Sequence, residues 1–232
     1  MARGVTNDLL GLATSAATIC MEYAENATIQ EVTGPNKRGD IVASDYYGAQ
    51  STPSNTYSLK GDVDIAANIV PGELITDGSD KFIVTGAALT TSNGAAPTLT
   101  VNYASVDASA TQGEQYTLPA CTLGVEHESQ ILFGAFELSG SDCHVLDCSA
   151  TISSTLTRSP DAEGVYTTIH GVMIDVTATI DAYGATAPTV TPAEDWNIVN
   201  PLTQGEGDKS YQTYSVTLRK YLTSNTTTTT TA

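Results

Sequence analysis

The chain has 232 residues, with nine Lys or Arg against 26 Asp or Glu and a formal charge of −17. That balance excludes a surface that clamps phosphate by releasing counterions, so nucleic acid that comes near is repelled. Charged residues are 15% and hydrophobic residues 41%, a composition that folds, and the abundance of Gly, Ser and Thr leans it towards β-structure.

From the start, Leu9, Leu10, Ala13, Ala16, Ala17 and Cys20 have helical spacing, yet the related stretch Gln130 to Leu138 has the pattern of a strand bounded by Ser-Gly-Ser. If the two share a fold, both are expected to be extended. A strand over 27–32 is followed by a hairpin loop, Thr33 to Asp40, and a return strand, Ile41 to Ser44. Thr56 to Ile65 alternates in part, Pro71-Gly72 punctuates a short β-segment from Glu73 to Thr76, and Asp77-Gly78-Ser79-Asp80 turns into Lys81 to Thr85. Ser92-Asn93-Gly94 marks a further turn before the strand Thr98 to Tyr103.

Residues beyond 105 carry Ser, Ala, Gln and Gly, with one strand expected at Tyr116 to Leu123. A strand over 150–157, the loop Arg158 to Gly164 and the return Val165 to Ile169 form a second hairpin. Val172 to Ile180 alternates with period two and one apolar face. Thr191-Pro192-Ala193-Glu194 has the form of a helix start, which predicts a short helix through Trp196. Tyr211 to Tyr221 is expected as the last strand, ahead of Ser224-Asn225 and six threonines, a tail expected to be mobile.

These elements repeat. Asn26-Ala27-Thr28-Ile29 returns as Ser149-Ala150-Thr151-Ile152, 123 positions on, and the same displacement relates Leu9 to Leu132, Gly11 to Gly134, Cys20 to Cys143 and Gly48 to Gly171. Asn68-Ile69-Val70 recurs as Asn197-Ile198-Val199, and Asp80-Lys81 with Thr85 as Asp208-Lys209 with Thr213, displaced by 128 or 129. The expected fold is mainly β, two tandem similar sandwich-like or barrel-like domains with at most short helices. The first domain is expected over 1–105, a connector over 106–129, the second domain over 130–222 and the tail over 223–232.

No window reaches the run of about 18 apolar residues that a membrane span needs, and Met1 to Asp8 lacks an apolar signal-peptide core. Synthesis in the cytosol is expected, with the four cysteines as buried thiols. Cys121, His127, Cys143, His144 and Cys148 have atoms that suit zinc, but adjacent Cys143 and His144 would point to opposite faces of a strand, and no metal is expected. Gly61-Asp62-Val63-Asp64 and Asp77 to Asp80 lack the twelve-residue calcium loop. Phosphate-loop, dinucleotide and serine-hydrolase signatures are absent, so neither a cofactor nor catalytic residues are expected and a structural role is favoured over an enzymatic one. Tyr46, Tyr47, Tyr103, Tyr211, Tyr214 and Tyr221 sit at strand ends, where amphipathic rings suit half-exposed strands or a subunit interface.

The order of hairpin, alternating strand, Pro-Gly turn, "ELITDGSDKFIVTGAALTTSN" and a closing strand resembles the β-sandwich subunits of long-tailed phage tail tubes. The resemblance lies in pattern and strand order and contains no invariant motif. It implies self-association into stacked rings, contacts with other tail proteins, location in the virion tail and passage of DNA without specific binding. In a subclass with duplicated subunits, three chains make a ring that looks six-fold, and the internal repeat fits that subclass. The family's hairpin loop stacks rings; the matching stretches are Thr33 to Asp40 and Arg158 to Gly164, both short for the purpose. On this reading Lys37, Arg38, Arg158 and Asp161 are the expected inter-ring contacts, and Asp62, Asp64, Asp175 and Asp181 the expected lining of an acidic channel. A head decoration or head-tail joining protein, and a carbohydrate-binding or adhesin module, are the alternatives.

Overall fold

A computed structural model describes residues 8–14, 16–35, 41–124, 129–140, 142–158, 166–183, 186–205 and 211–224. Its strands are β1 (Thr18–Pro35), β2 (Ile41–Leu59), β3 (Val63–Asp64), β4 (Leu74–Asp77), β5 (Asp80–Ser92), β6 (Thr98–Val106), β7 (Thr122–Leu123), β8 (Phe136–Ser139), β9 (Cys143–Arg158), β10 (Tyr166–Tyr183), β11 (Thr189–Pro192), β12 (Asn197–Gln204) and β13 (Tyr211–Tyr221). One helical turn, α1 (Ile65–Asn68), and two 3-10 turns, Leu12–Thr14 and Leu132–Gly134, complete the described elements. The protein is mainly β, as the composition predicts.

Period-two alternation sets the layers. On β10, Val172, Ile174, Val176, Ala178, Ile180 and Ala182 are buried, while Thr177 and Thr179 face the other way. β-branched residues suit such a pleated, half-buried surface. Val216 and Leu218 on β13, Ala150 and Ile152 on β9, Ala87 and Leu89 on β5, and Leu99 and Val101 on β6 continue the same apolar layer into one core. Over this layer lie the short elements: β3 pairs with β7, β8 with β11, and α1 is capped by Asp64, whose carboxylate accepts the Ala67 N–H at 3.1 Å.

The principal sheet has nine strands in the order β1-β2-β6-β5-β9-β10-β13-β12, with β4 added to β5. The two halves of the chain meet as one sheet and not as separate sandwiches, because β5 pairs with β9 from Gly86↔Ser153 to Ser92↔Asp147. Each half contributes its strands in the same order: hairpin, then last strand, then the strand before it. Register irregularities recur with them. Met21 is the extra residue between β1 and β2, as Leu146 is between β9 and β10. Thr85 is the extra residue of β5 against β6, as Val199 is of β12 against β13. Ala49 and Gly48 bulge opposite Ile29, as Val172 and Gly171 do opposite Ser154.

These landmarks refine the repeat. Gly48 and Gly171 occupy matching places at the displacement of 123, but the bulges align β9 with β1 at 125. The echo of Ala27-Thr28-Ile29 in Ala150-Thr151-Ile152 is therefore two residues out of step, a slip that keeps each side chain on its own face. The Asn-Ile-Val echo is not structural, and Asp208 and Lys209 lie outside the described residues. Asn68 ends α1 and Ile69 and Val70 follow it, whereas Asn197, Ile198 and Val199 open β12; the residues matching Ile198 and Val199 are Val84 and Thr85.

Several local expectations are corrected. The helix through Trp196 is absent: Thr191 and Pro192 belong to β11, and a turn with Asp195 at φ 65° carries the chain to a buried Trp196. Pro192 ends a strand instead of opening a helix because Pro192 pairs with Phe136 at the close of the β11–β8 ladder. The strand expected through Ile65 stops at Leu59, and α1 begins where Asp64 caps it. Before β1 and β8 the chain makes 3-10 turns, with Gly11 and Gly134 left-handed at φ 66° and 54°, a conformation glycine adopts at little cost. Among the described residues of the connector, Val106 ends β6, Thr122 and Leu123 form β7, and Tyr116 makes an isolated bridge to Ser224. Both hairpins run longer than expected, 18 and 19 residues in β1 and β2. The tips at 36–40 and 159–165, and the tail from 225, lie outside the described residues.

Candidate functional site

Two features are built by the sheet alone: an open face without a covering apolar layer, and two edges. On the open face, register sets side chains in rows across the strands. One row runs Ser58, Thr98, Thr90, Ser149, Thr177, Thr217, a hydroxyl on six successive strands. The next runs Thr56, Thr100, Ala88, Thr151, Asp175, Arg219, and in it the Thr56 and Thr100 hydroxyls lie 3.2 Å apart. Hydroxyls stand here because the alternation that buries Val, Ile and Ala turns the intervening Ser and Thr outward.

Charge on this face includes exposed Glu22, which the register sets beside Thr56. Arg219 donates from both Nε and Nη2 to Asp175, a paired contact that raises the guanidinium's pKa further and balances the carboxylate. Asp147 is exposed, and Asp181, on the same face of β10 as Asp175, is buried at 4%. The expected lining set is thus divided. Asp175 and Asp181 share one strand face, whereas Asp64 caps α1 and Asp62 lies in the bend before β3, both off the principal sheet. Of the expected inter-ring residues, Arg158 ends β9, and Lys37, Arg38 and Asp161 lie outside the described residues.

The edges are β1, paired with β2, and β12, paired with β13. Among the described residues the exposed large hydrophobics are Ile19 at 36%, Met21 at 61%, Ile198 at 43%, Val199 at 43% and Tyr221 at 62%. Four of these five stand on the two edge strands, a placement that an isolated sheet ordinarily avoids. Of the tyrosines at strand ends, Tyr103 and Tyr214 are buried and Tyr221 is exposed.

Elsewhere burial is the main cause of the shifts of the buried thiols and phenols. Burial pushes the Cys148 thiol up to about 12 and raises Cys121 and Cys20, so these sulfurs stay protonated. Tyr57 and Tyr103 are likewise raised by burial, and the Tyr57 hydroxyl donates to Asp8 at 2.6 Å. Cys143 and His144 both border one shallow hollow with Asn93 and Gln130. Among the described residues no group of three His, Cys, Asp or Glu side chains could hold a metal, and no helix is long and apolar enough to cross a membrane.

Sequence reasoning missed the edges and the Asp175–Arg219 pair. Arg219 and Asp175 each occupy an alternating strand position, but only the register makes them neighbours. Neither family models nor curated proteins give a match to this chain.

Proposed function

We propose that this chain is a non-enzymatic structural subunit of a phage tail, the tube protein, carrying two copies of one β-unit. Copies join edge to edge, the β12 edge of one chain against the β1 edge of the next, as β5 joins β9 within the chain. Three chains close a ring of pseudo-six-fold form, and rings stack through the long hairpins. The carrying observation is that the strand order of the first half recurs in the second with matching bulges, leaving one unit's two kinds of edge free at opposite ends of the sheet. Closure removes the exposed edges, which is the physical reason for assembly.

In this reading the open face lines the channel and DNA passes it without specific binding. The channel's tolerance of DNA has two sources: a net charge of −17 on each chain, which repels a polyanion at long range, and a wall of hydroxyls whose guanidinium is already held by Asp175. Other tail proteins are the expected partners, and the virion tail the location. Electron microscopy of the concentrated protein, with a mass measurement alongside, tests the reading. Rings or tubes of three chains per ring are expected; a protein that stays monomeric at high concentration overturns it.

A further inference from the structure

The internal joint between β5 and β9 has a strap across it. Residues 129–136, just ahead of β9, reach back to β5: the Ser129 and Thr91 hydroxyls lie 2.8 Å apart, and Ser129 also donates to the Thr91 carbonyl at 3.2 Å. On the β9 side the Leu132 N–H donates to the Cys148 sulfur at 3.5 Å. Leu132, Phe133, Ala135 and Phe136 are all buried under this arrangement.

The matching segment ahead of β1 is Asp8–Thr14, related to it by left-handed glycines at Gly11 and Gly134. It docks on β2 of its own unit. Leu9 N–H donates to the Asn55 side chain at 3.3 Å, and Asp8 receives the Tyr57 hydroxyl at 2.6 Å and the Ala13 N–H at 2.6 Å. Its apolar side chains ahead of the glycine are less covered: Leu9 and Leu10 are half-buried, whereas Leu132 and Phe133 are buried. The surroundings differ too: β9 has β5 on its far side, whereas β1 is an edge.

We infer that Asp8–Thr14 is a strap that closes over the joint between two copies of this chain. It lies against the Thr203–Gly205 end of the neighbour's β12, with Leu9 and Leu10 covered there as Leu132 and Phe133 are covered within the chain. The inference rests on the proposed edge-to-edge assembly and adds a second contact to it. Asp8 sets the strap's position through Tyr57, so the segment is presented to the neighbour already ordered, which lowers the cost of docking.

Hydrogen exchange of the full chain, before and after assembly, tests it together with Leu10→Asp. The amides of Leu9 to Leu12 are expected to gain protection on assembly, and Leu10→Asp is expected to raise the protein concentration needed for assembly about tenfold or more. Unchanged exchange at these amides, or assembly of the variant at the wild-type concentration, overturns the strap. If Leu10→Asp fails to fold, Leu10→Ala gives the same comparison with a smaller rise. A disulfide between Asn26→Cys and Thr203→Cys in an otherwise unaltered chain reports edge pairing separately. Its formation with no strap protection sinks the strap alone; its absence sinks the edge-to-edge reading and the strap with it.

Discussion

The joint between β5 and β9 and the free edges β1 and β12 occupy equivalent places in the two halves, yet differ in how they meet solvent. At the internal joint the bulge residues are tied across it: the Leu146 carbonyl accepts the Asn93 N–H at 2.9 Å, and the Thr85 carbonyl accepts the Ser154 hydroxyl. At the edges the matching bulge residues, Met21 and Val199, are exposed. A joint already made inside the chain thus shows what a completed edge looks like, and the free edges carry the apolar surface that such completion would cover.

The largest expected effect breaks the internal joint. Gly86 stands where a Cβ would run into the Ile152 carbonyl, so β5 approaches β9 this closely only without a side chain. Gly86→Val is expected to cost more than about 3 kcal/mol in denaturant unfolding. Asn200 holds the matching place on the free edge β12, and Asn200→Gly is expected to change single-chain stability by less than about 0.5 kcal/mol. Equal effects at the two positions would dissolve the distinction between a made joint and an open edge.

A second contact binds the halves through the connector. The Tyr116 hydroxyl donates to the buried Ile169 carbonyl at 2.9 Å, while its N–H donates to the Pro71 carbonyl at 2.9 Å, so one residue ties the Pro71 turn of the first half to β10 of the second. Tyr116→Phe is expected to lose about 1–2 kcal/mol by thermal or denaturant unfolding, because the carbonyl is left without that donor. A loss below about 0.3 kcal/mol would assign the halves' cohesion to the β5–β9 ladder alone.

Alkali tests the core beneath the joint. Cys148 lies on β9, and its thiol is raised by burial from 9.0 to about 12, so the unfolded chain releases that proton before the folded one does. Its contribution is fully present below pH 9 and is lost as pH rises towards 12, at about 1.4 kcal/mol per unit. Raised Tyr57 and Tyr103 add to the loss above the ordinary phenol value. Unfolding titrations on Cys148→Ala should show a shallower alkaline slope; an unchanged slope would remove Cys148 from the explanation.

The smallest effect on the single chain is expected at the edges themselves. Met21→Lys and Ile198→Lys should leave the unfolding midpoint of the monomer within about 0.5 kcal/mol of the parent and abolish assembly seen by sedimentation. Assembly that survives both changes would move the interface elsewhere.

Much of the strand inventory is legible in the residues. Tyr211 to Tyr221 and Val172 to Ile180 alternate strictly, because one face is core and the other open, and β13 spans Tyr211–Tyr221. Ser92-Asn93-Gly94 and Asp77-Gly78 likewise mark real turns, with Gly78 and Gly94 left-handed. The short elements are less legible. Thr191-Pro192-Ala193-Glu194 satisfies the local rules for a helix start, and pairing of β11 with β8 overrides them. Sheet order is invisible for a different reason: which strand lies beside β9 is set by packing between distant segments. Without that order the edges, the hydroxyl rows and the Asp175–Arg219 pair have no address.

The most direct measurement is the Asn26→Cys, Thr203→Cys disulfide. By analogy with Thr151 opposite Ala88 at the internal joint, these two positions fall opposite each other when β1 meets β12 of another copy. Within one chain they stand at opposite ends of a path of eight strands, about 34 Å apart at ordinary strand spacing. Oxidation of the assembled protein should give a covalently closed ring of three chains on a denaturing, non-reducing gel. A product that remains a monomer, or equal linkage from Asn26→Cys with Asn200→Cys, would contradict edge-to-edge joining in this register.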